Sequence, residues 1–261
     1  MDAGAFGFPA FRQSYMISPR TYAYNLGMGD FTIEAWIYTR EGGPILGRKD
    51  TSGGVYHAGF FLTVTPSYID LVTSSESEYA QLKTPITADH HITWRHVAAV
   101  RQGAKGCIYL DGVPQPTTMD GNSDSPMNVN STARLTVGSV DPLGYANKFF
   151  NGLMAEVRLW DEARSAEDIS SSMRSRLNPM TPNLIGYWSG ELGVAQDLSP
   201  VRNQTAVFGS LSMHAVEPLR FMAESDSKVP FSGIYNTWTQ TKGLALWTAS
   251  QDLVVTRASS S

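Results

Sequence analysis

Asn151-Gly152-Leu153-Met154-Ala155-Glu156-Val157-Arg158-Leu159-Trp160 reads as one long strand, and Ser165-Ala166-Glu167-Asp168-Ile169 just beyond it reads as a helix start. Ser165 with an acid three residues on, and Glu167 in the first turn, satisfies free N–H groups and the positive end of the helix dipole. That helix is expected to run through about Arg176 and to end before Pro179. Working back from this stretch, strand-like phrases recur in order. They are Phe31-Thr32-Ile33-Glu34-Ala35-Trp36, Trp94-Arg95-His96-Val97-Ala98-Ala99-Val100, Ile108-Tyr109-Leu110-Asp111-Gly112 and Leu135-Thr136-Val137-Gly138.

The pattern between these phrases is all-β. Phe31, Ile33, Ala35 and Ile37 alternate with Thr32, Glu34, Trp36 and Tyr38, leaving both faces fairly apolar. This suits a strand between two sheets, or one whose outer face meets a ligand. Gly59–Val64 and Ile69–Val72 form an expected hairpin around Pro66-Ser67, and Trp94–Val100 and Cys107–Leu110 another across residues 102–106. Residues 114–131, broken by Pro and Gly, read as an exposed loop. Leu184–Trp188 and Val207-Phe208 return as strands.

Bulk composition excludes several classes of function. Charged residues make up 17% and the net charge is -4, with no basic run to follow a phosphate backbone. No apolar run is long enough to span a bilayer, and residues 1–20 lack the apolar core of a signal peptide. Location stays open between the cytoplasm, release by a non-classical route, and export by a leader outside these residues. Cys107 is the single cysteine, expected as a small buried hydrophobe in a strand, so internal disulfides are excluded.

The phrases over residues 11–210 resemble the laminin-G-like, concanavalin A-like jelly roll and the pentraxins. The most specific likeness lies in Asn151–Trp160, with Trp94–Val97 second. The expected fold is thus a two-sheet antiparallel jelly-roll sandwich with one short helix. Residues 1–212 would form the jelly roll and 213–261 a small C-terminal β annex packed on it. Trp36, Trp94, Trp160 and Trp188 fall in strand phrases and are expected in the core. In the annex, Phe231, Tyr235, Trp238 and Trp247 suggest either self-association into a homo-oligomer or sealing of one end of the main core.

The resemblance implies a non-catalytic, lectin-like protein that holds glycans at the loop rim or the concave face. Pentraxins grip ligand through calcium on one rim, and Asp50 and Asp141 match carboxylates of that site. Calcium takes six to eight oxygen ligands, so two acids leave much to carbonyls and water. A second grouping of Glu191, Asp197 and Asn203 offers oxygens near a turn, where capping by Asp197 is the plainer account. Aromatic-plus-polar groupings suited to sugar C–H faces and hydroxyls are Tyr56-His57, Tyr68, Asp70, Glu78-Tyr79, Gln81, and Tyr145 with Asn147. Glycosidases of this architecture need two carboxylates about 5–5.5 Å apart. No strand here carries acids at the even spacing that would place such a pair: Glu156 shares a face with Arg158, its natural ion-pair partner. A protein-interaction module, such as a subunit of a toxin-like defence complex, is the alternative reading.

Overall fold

Phe31–Lys49 forms one strand of 19 residues that belongs to both layers of the molecule. The computed structural model describes residues 4–49, 57–87, 93–121, 124–140, 148–190, 195–216 and 234–239. Along the chain these give β1 (Gly4–Phe8), a 3-10 turn at Ala10–Arg12, β2 (Tyr15–Ile17), β3 (Phe31–Lys49), β4 (Gly59–Val64), β5 (Tyr68–Ser74) and β6 (Tyr79–Pro85). Next come β7 (Arg95–Gln102), β8 (Lys105–Leu110), β9 (Val113–Pro114), β10 (Thr118–Gly121), β11 (Thr136–Val137), β12 (Ser139–Val140), β13 (Lys148–Phe149) and β14 (Asn151–Trp160). They close with α1 (Ala166–Ser172), β15 (Leu184–Trp188), β16 (Ala206–Phe208), β17 (Ser212–Val216) and β18 (Ile234–Thr239).

The first half of β3 pairs antiparallel with β7 on one side and β14 on the other, within a layer that continues through β8 and β9. On the far side of β14 lie β1 and β15, and beyond β1 come β17 and β18. The second half of β3 pairs with β4 and β11, in a layer ordered β10-β6-β5-β4-β3-β11-β2-β16. We call these the α layer, because α1 covers it, and the open layer. Alternation sends Phe31, Ile33, Leu46, Phe60, Leu62, Ile69, Leu71 and Leu82 into one shared core with Met16, Val157 and Trp188. The antiparallel jelly-roll sandwich with one short helix is therefore the observed fold. β17 and β18, from the region expected as an annex, extend the α layer beyond β1.

β3 changes layer at Gly42 and Gly43, whose φ angles of 79° and 129° disfavour a Cβ. A Cβ on Gly42 would lie 2.3 Å from the Val64 carbonyl oxygen, and one on Gly43 would lie 2.4 Å from Phe150 Cα. Close backbone crossing at the sandwich corner thus requires glycine at both positions.

The helix starts where the sequence places it. Ser165 Oγ accepts from the Asp168 N–H at 3.1 Å and the Asp168 carboxylate accepts from the Ser165 N–H at 3.2 Å, a complete capping box. It ends at Ser172, short of the expected Arg176. Around its end, Arg158 donates to the carbonyls of Ser172 and Ser175, and Trp36 Nε1 donates to that of Met173 at 2.6 Å. Those acceptors serve the sheet below, and the chain leaves the helix. Residues 114–131 also depart from the expected loop, because Thr118–Gly121 pairs with β6 and Val129 is buried.

Gly43→Ala should destabilise by about 3 kcal/mol in chemical denaturation, through backbone overlap combined with a disfavoured φ. Gly103→Ala, at φ 59° where a Cβ would meet no described atom within 4 Å, should cost only about 1 kcal/mol.

Candidate ligand-binding face

The densest group of charges is sealed on the outside of the α layer. Glu34, Arg158 and His96 are at most 1% exposed, beneath α1 and the chain that follows it. Glu34 Oε1 accepts from Trp160 Nε1 at 2.7 Å and from Arg164 Nη1 at 2.9 Å, Arg158 Nη1 lies 3.6 Å from the same oxygen, and His96 Nε2 lies 3.2 Å from Oε2. Burial alone would push the Glu34 carboxyl up. The hydrogen bond from His96 and the charges of Arg158, His96 and Arg164 outweigh it and hold the group at about 2. Glu156 Oε2 accepts from Arg158 at 2.7 Å and from the Tyr187 hydroxyl at 2.8 Å. The expected Glu156–Arg158 pairing is thus present.

A β-bulge makes that pairing possible. The register with β3 shifts between Ala155 and Arg158, and Glu156 takes a φ of 52°. Met154 and Val157 both face the core, while Ala155, Glu156 and Arg158 all face outward. Without the extra residue, Glu156 would follow Met154 inward. The outer face of Phe31–Ile37 therefore meets a helix and an ion network. The ligand that its apolar alternation also allowed is excluded there, because Ile169 fills the space over Ala98, Val100 and Tyr109.

The open layer presents the other outward face. On β5 and β6 the residues flanking the core-facing Ile69, Leu71, Ala80 and Leu82 point away from the core. Cross-strand pairing sets Thr63, Asp70, Lys83 and Thr118 in one row and Phe61, Val72, Gln81 and Asp120 in the next. Tyr68, Asp70, Tyr79 and Gln81, four of the residues singled out from the sequence, share this face. Gln81 Nε2 donates to Asp70 Oδ2 at 2.6 Å, Lys83 Nζ stands 3.7 Å over the Tyr68 ring, and the Tyr79 hydroxyl lies 3.3 Å from Asp120 Oδ2.

Asp70 is 5% exposed, and among the described residues its Oδ1 has no hydrogen-bond partner. Burial pushes its carboxyl up, against the Gln81 hydrogen bond and the charges of Lys83 and Lys148. Asp70 Oδ1 is thus one bond short but closed to solvent, so a donor from outside would reach it only by displacing its neighbours.

The remaining candidates are placed as follows. The His57 carbonyl accepts from Lys49 Nζ at 2.8 Å and from Ser74 Oγ at 2.6 Å, tying the end of β3 to β5. Glu78 is exposed in the turn between β5 and β6, bonded through its backbone to Ser75. Asp50, Tyr56, Asp141, Tyr145 and Asn147 lie outside the described residues, as does Glu191. Asp197 caps a turn: its Oδ1 accepts from the Tyr187 and Ser199 N–H groups at 2.9 Å each, and its Oδ2 from the Tyr24 hydroxyl at 2.8 Å. Among the described residues no three metal-capable side chains cluster, and no helix is long and apolar enough to cross a membrane. Lys83, Asp120 and Lys148 join the face without having been singled out. Period two from Gln81 would have found Lys83, whereas Asp120 was hidden in a stretch read as loop.

Residues 13–170 match the laminin-G-type family described as the concanavalin A-like lectin/glucanases superfamily. The chain belongs to that superfamily. Among solved structures, this concanavalin A-like chain is similar to a Bacteroides ovatus protein to which carbohydrate binding has been ascribed, at 17% identity and a TM-score of 0.60. The match covers 83% of this chain and 60% of that one. A heptameric SAP-like pentraxin from Limulus polyphemus aligns at 13% identity and a TM-score of 0.47, over 80% of this chain and 95% of the pentraxin. Domains LG4-5 of the mouse laminin α1 chain align at 13% identity and a TM-score of 0.45, over 63% of this chain and 46% of theirs. No curated protein matches the sequence.

Two titrations should distinguish the two faces. Glu34 is depressed to about 2, so its stabilisation is complete above the unfolded carboxylate value of about 4.3 and is lost as pH falls toward 2. Glu34→Gln should flatten that acid limb of about 3 kcal/mol in pH-dependent urea unfolding. Asp70 is raised, so its contribution is fully present below the unfolded value of about 3.9 and is lost as pH climbs through the folded value. Asp70→Asn should therefore gain stability relative to the native protein as pH rises from about 4 to about 7.

Proposed function

We propose that this protein is a non-catalytic glycan-binding protein and that the outward face of β4, β5, β6 and β10 holds the sugar. The observation that carries this reading is the buried Asp70 carboxylate with one oxygen unengaged among the described residues, set between Gln81 and the Lys83–Tyr68 pair. On this reading the side chains around Asp70 part to let Oδ1 accept a sugar hydroxyl, Gln81 and Lys83 donate to neighbouring oxygens, and the Tyr68 and Tyr79 rings take the C–H faces. The open layer is the side left uncovered by α1.

Among the described residues, the one carboxylate pair bound to a common arginine, Glu34 and Glu156, is shut under α1, where water and substrate do not reach it. That favours holding a glycan over cleaving it. Calcium, held by Asp50 and Asp141, would add a bridging cation to the grip on the sugar.

A glycan array probed with and without EDTA tests the reading. Specific hits are expected, weakened about tenfold or more by Asp70→Ala, with the melting temperature unaffected or raised, and by Gln81→Ala, which lowers the melting temperature because Asp70 loses its hydrogen bond. Hits lost on chelation would assign the metal role to the two aspartates. A blank array alongside a stable protein complex in pull-down would instead favour an interaction module, and new reducing ends from polysaccharide would overturn the non-catalytic reading.

A further inference from the structure

The open layer ends at β16 in an unguarded edge. β16 pairs with β2 on one side, and no described strand pairs with it on the other. Val207 points into the core, while Ala206 and Phe208 flank it on the outward side. One face of the Phe208 ring stacks on Tyr15 at 5.0 Å. The residue is nevertheless 45% exposed, because its other face looks off the edge of the sheet. Natural sheets keep such edges from other chains with charge, proline or a covering segment. From Asn203 to Met213 the sequence offers neither a charged side chain nor a proline.

On this side the α layer reaches one strand further. Residues 209–211 alone carry the chain from β16 to β17, so these two strands face each other across the sandwich, and Val207, Leu211 and Met213 share the core between them. β18 continues the α layer beyond β17, and among the described residues no strand of the open layer stands opposite it. β18 runs antiparallel to β17 and ends at Thr239, the partner of Ser212. The chain beyond Thr239 therefore sets out roughly 4.8 Å, one strand spacing, from the residue at which β17 begins. Residues 240–261 themselves lie outside the described residues.

We infer that the free edge of β16 is the docking site of this chain's own C-terminal segment, with residues 243–248 added to it as an antiparallel strand. The β17–β18 register supplies the alignment. Ser212 stands opposite Thr239 and Met213 opposite Trp238. Continued through the crossover, that register sets Gly243 opposite Phe208, Leu244 opposite Val207, Ala245 opposite Ala206 and Leu246 opposite Thr205. Side-chain chemistry agrees with it. Leu244 falls beside the buried Val207, and Leu246 beside Thr205, whose hydroxyl accepts from the buried Trp188 Nε1 at 3.1 Å. Gly243 leaves room for the outlying face of the Phe208 ring. A slip of one residue would turn Leu244 and Leu246 to solvent. Main-chain bonds then hold the segment, and the edge is withheld from other chains.

Hydrogen exchange of the β16 amides directed away from β2, read by NMR, tests the cover. Exchange there should quicken about tenfold or more in a chain ending at Thr239 and in Leu244→Asp, which places a charge on the core side. Ala245→Asp, on the outward side, should leave it unchanged. Exchange that truncation does not alter overturns the inference. A second measurement uses the whole chain and so decides even where the shortened one fails to fold. In a Cys107→Ser background, Ala206→Cys and Ala245→Cys should join in a disulfide within one chain, since opposed Cα atoms of a ladder lie roughly 4.5–5.5 Å apart. A disulfide that links two chains would give the edge to a second copy, and no disulfide would leave the segment elsewhere; either result overturns the assignment.

Discussion

One strand held in common by two sheets governs this molecule. Because β3 supplies hydrogen bonds to β7 and β14 in its first half and to β4 and β11 in its second, neither layer closes without the other. The glycine pair at 42 and 43 lets the chain cross the corner, and the apolar side of each half faces the same interior. Burial of that interior, at about 25 cal/mol per Å² of apolar surface, is the term that holds the layers together. The positions of every outward side chain then follow from strand parity.

Parity also divides the surface chemically. On the α layer the outward charges are condensed into a dry network around Glu34, where Arg158 and Arg164 reach both carboxylates and carbonyls of the covering chain. On the open layer they stay spread along rows, partly engaged with one another through Gln81, Lys83 and Asp120. A buried network of charges contributes less to stability than its number of contacts suggests, because desolvation offsets much of the attraction. Its clearest effect here is to dock one helix in one place, which leaves the opposite side of the sandwich as the one that α1 does not cover.

Much of this was legible in the order of the strand phrases. Asn151–Trp160 announced the central strand and Ser165 and Asp168 the helix start, whereas Tyr68, Asp70, Tyr79 and Gln81 stood out only as aromatic-plus-polar groupings, and their common face came with the pairing of β5 and β6. Other features have no local signature. The end of the helix at Ser172 is one, where Arg158 and Trp36 reach the carbonyls of residues 172, 173 and 175 from distant strands. β10 is a strand only because β6 offers it an edge. The burial of Asp70 depends on neighbours from other strands, as does the convergence of His96, Arg158, Arg164 and Trp160 on Glu34.

The extra residue at Glu156 carries a consequence for how such a sequence varies. Upstream of it the central strand keeps step with β1, and downstream it keeps step with β15. The kink resets the inside–outside phase between these two partnerships. Each half of the strand can then drift in composition under its own neighbours, so long as the single left-handed position between them is kept.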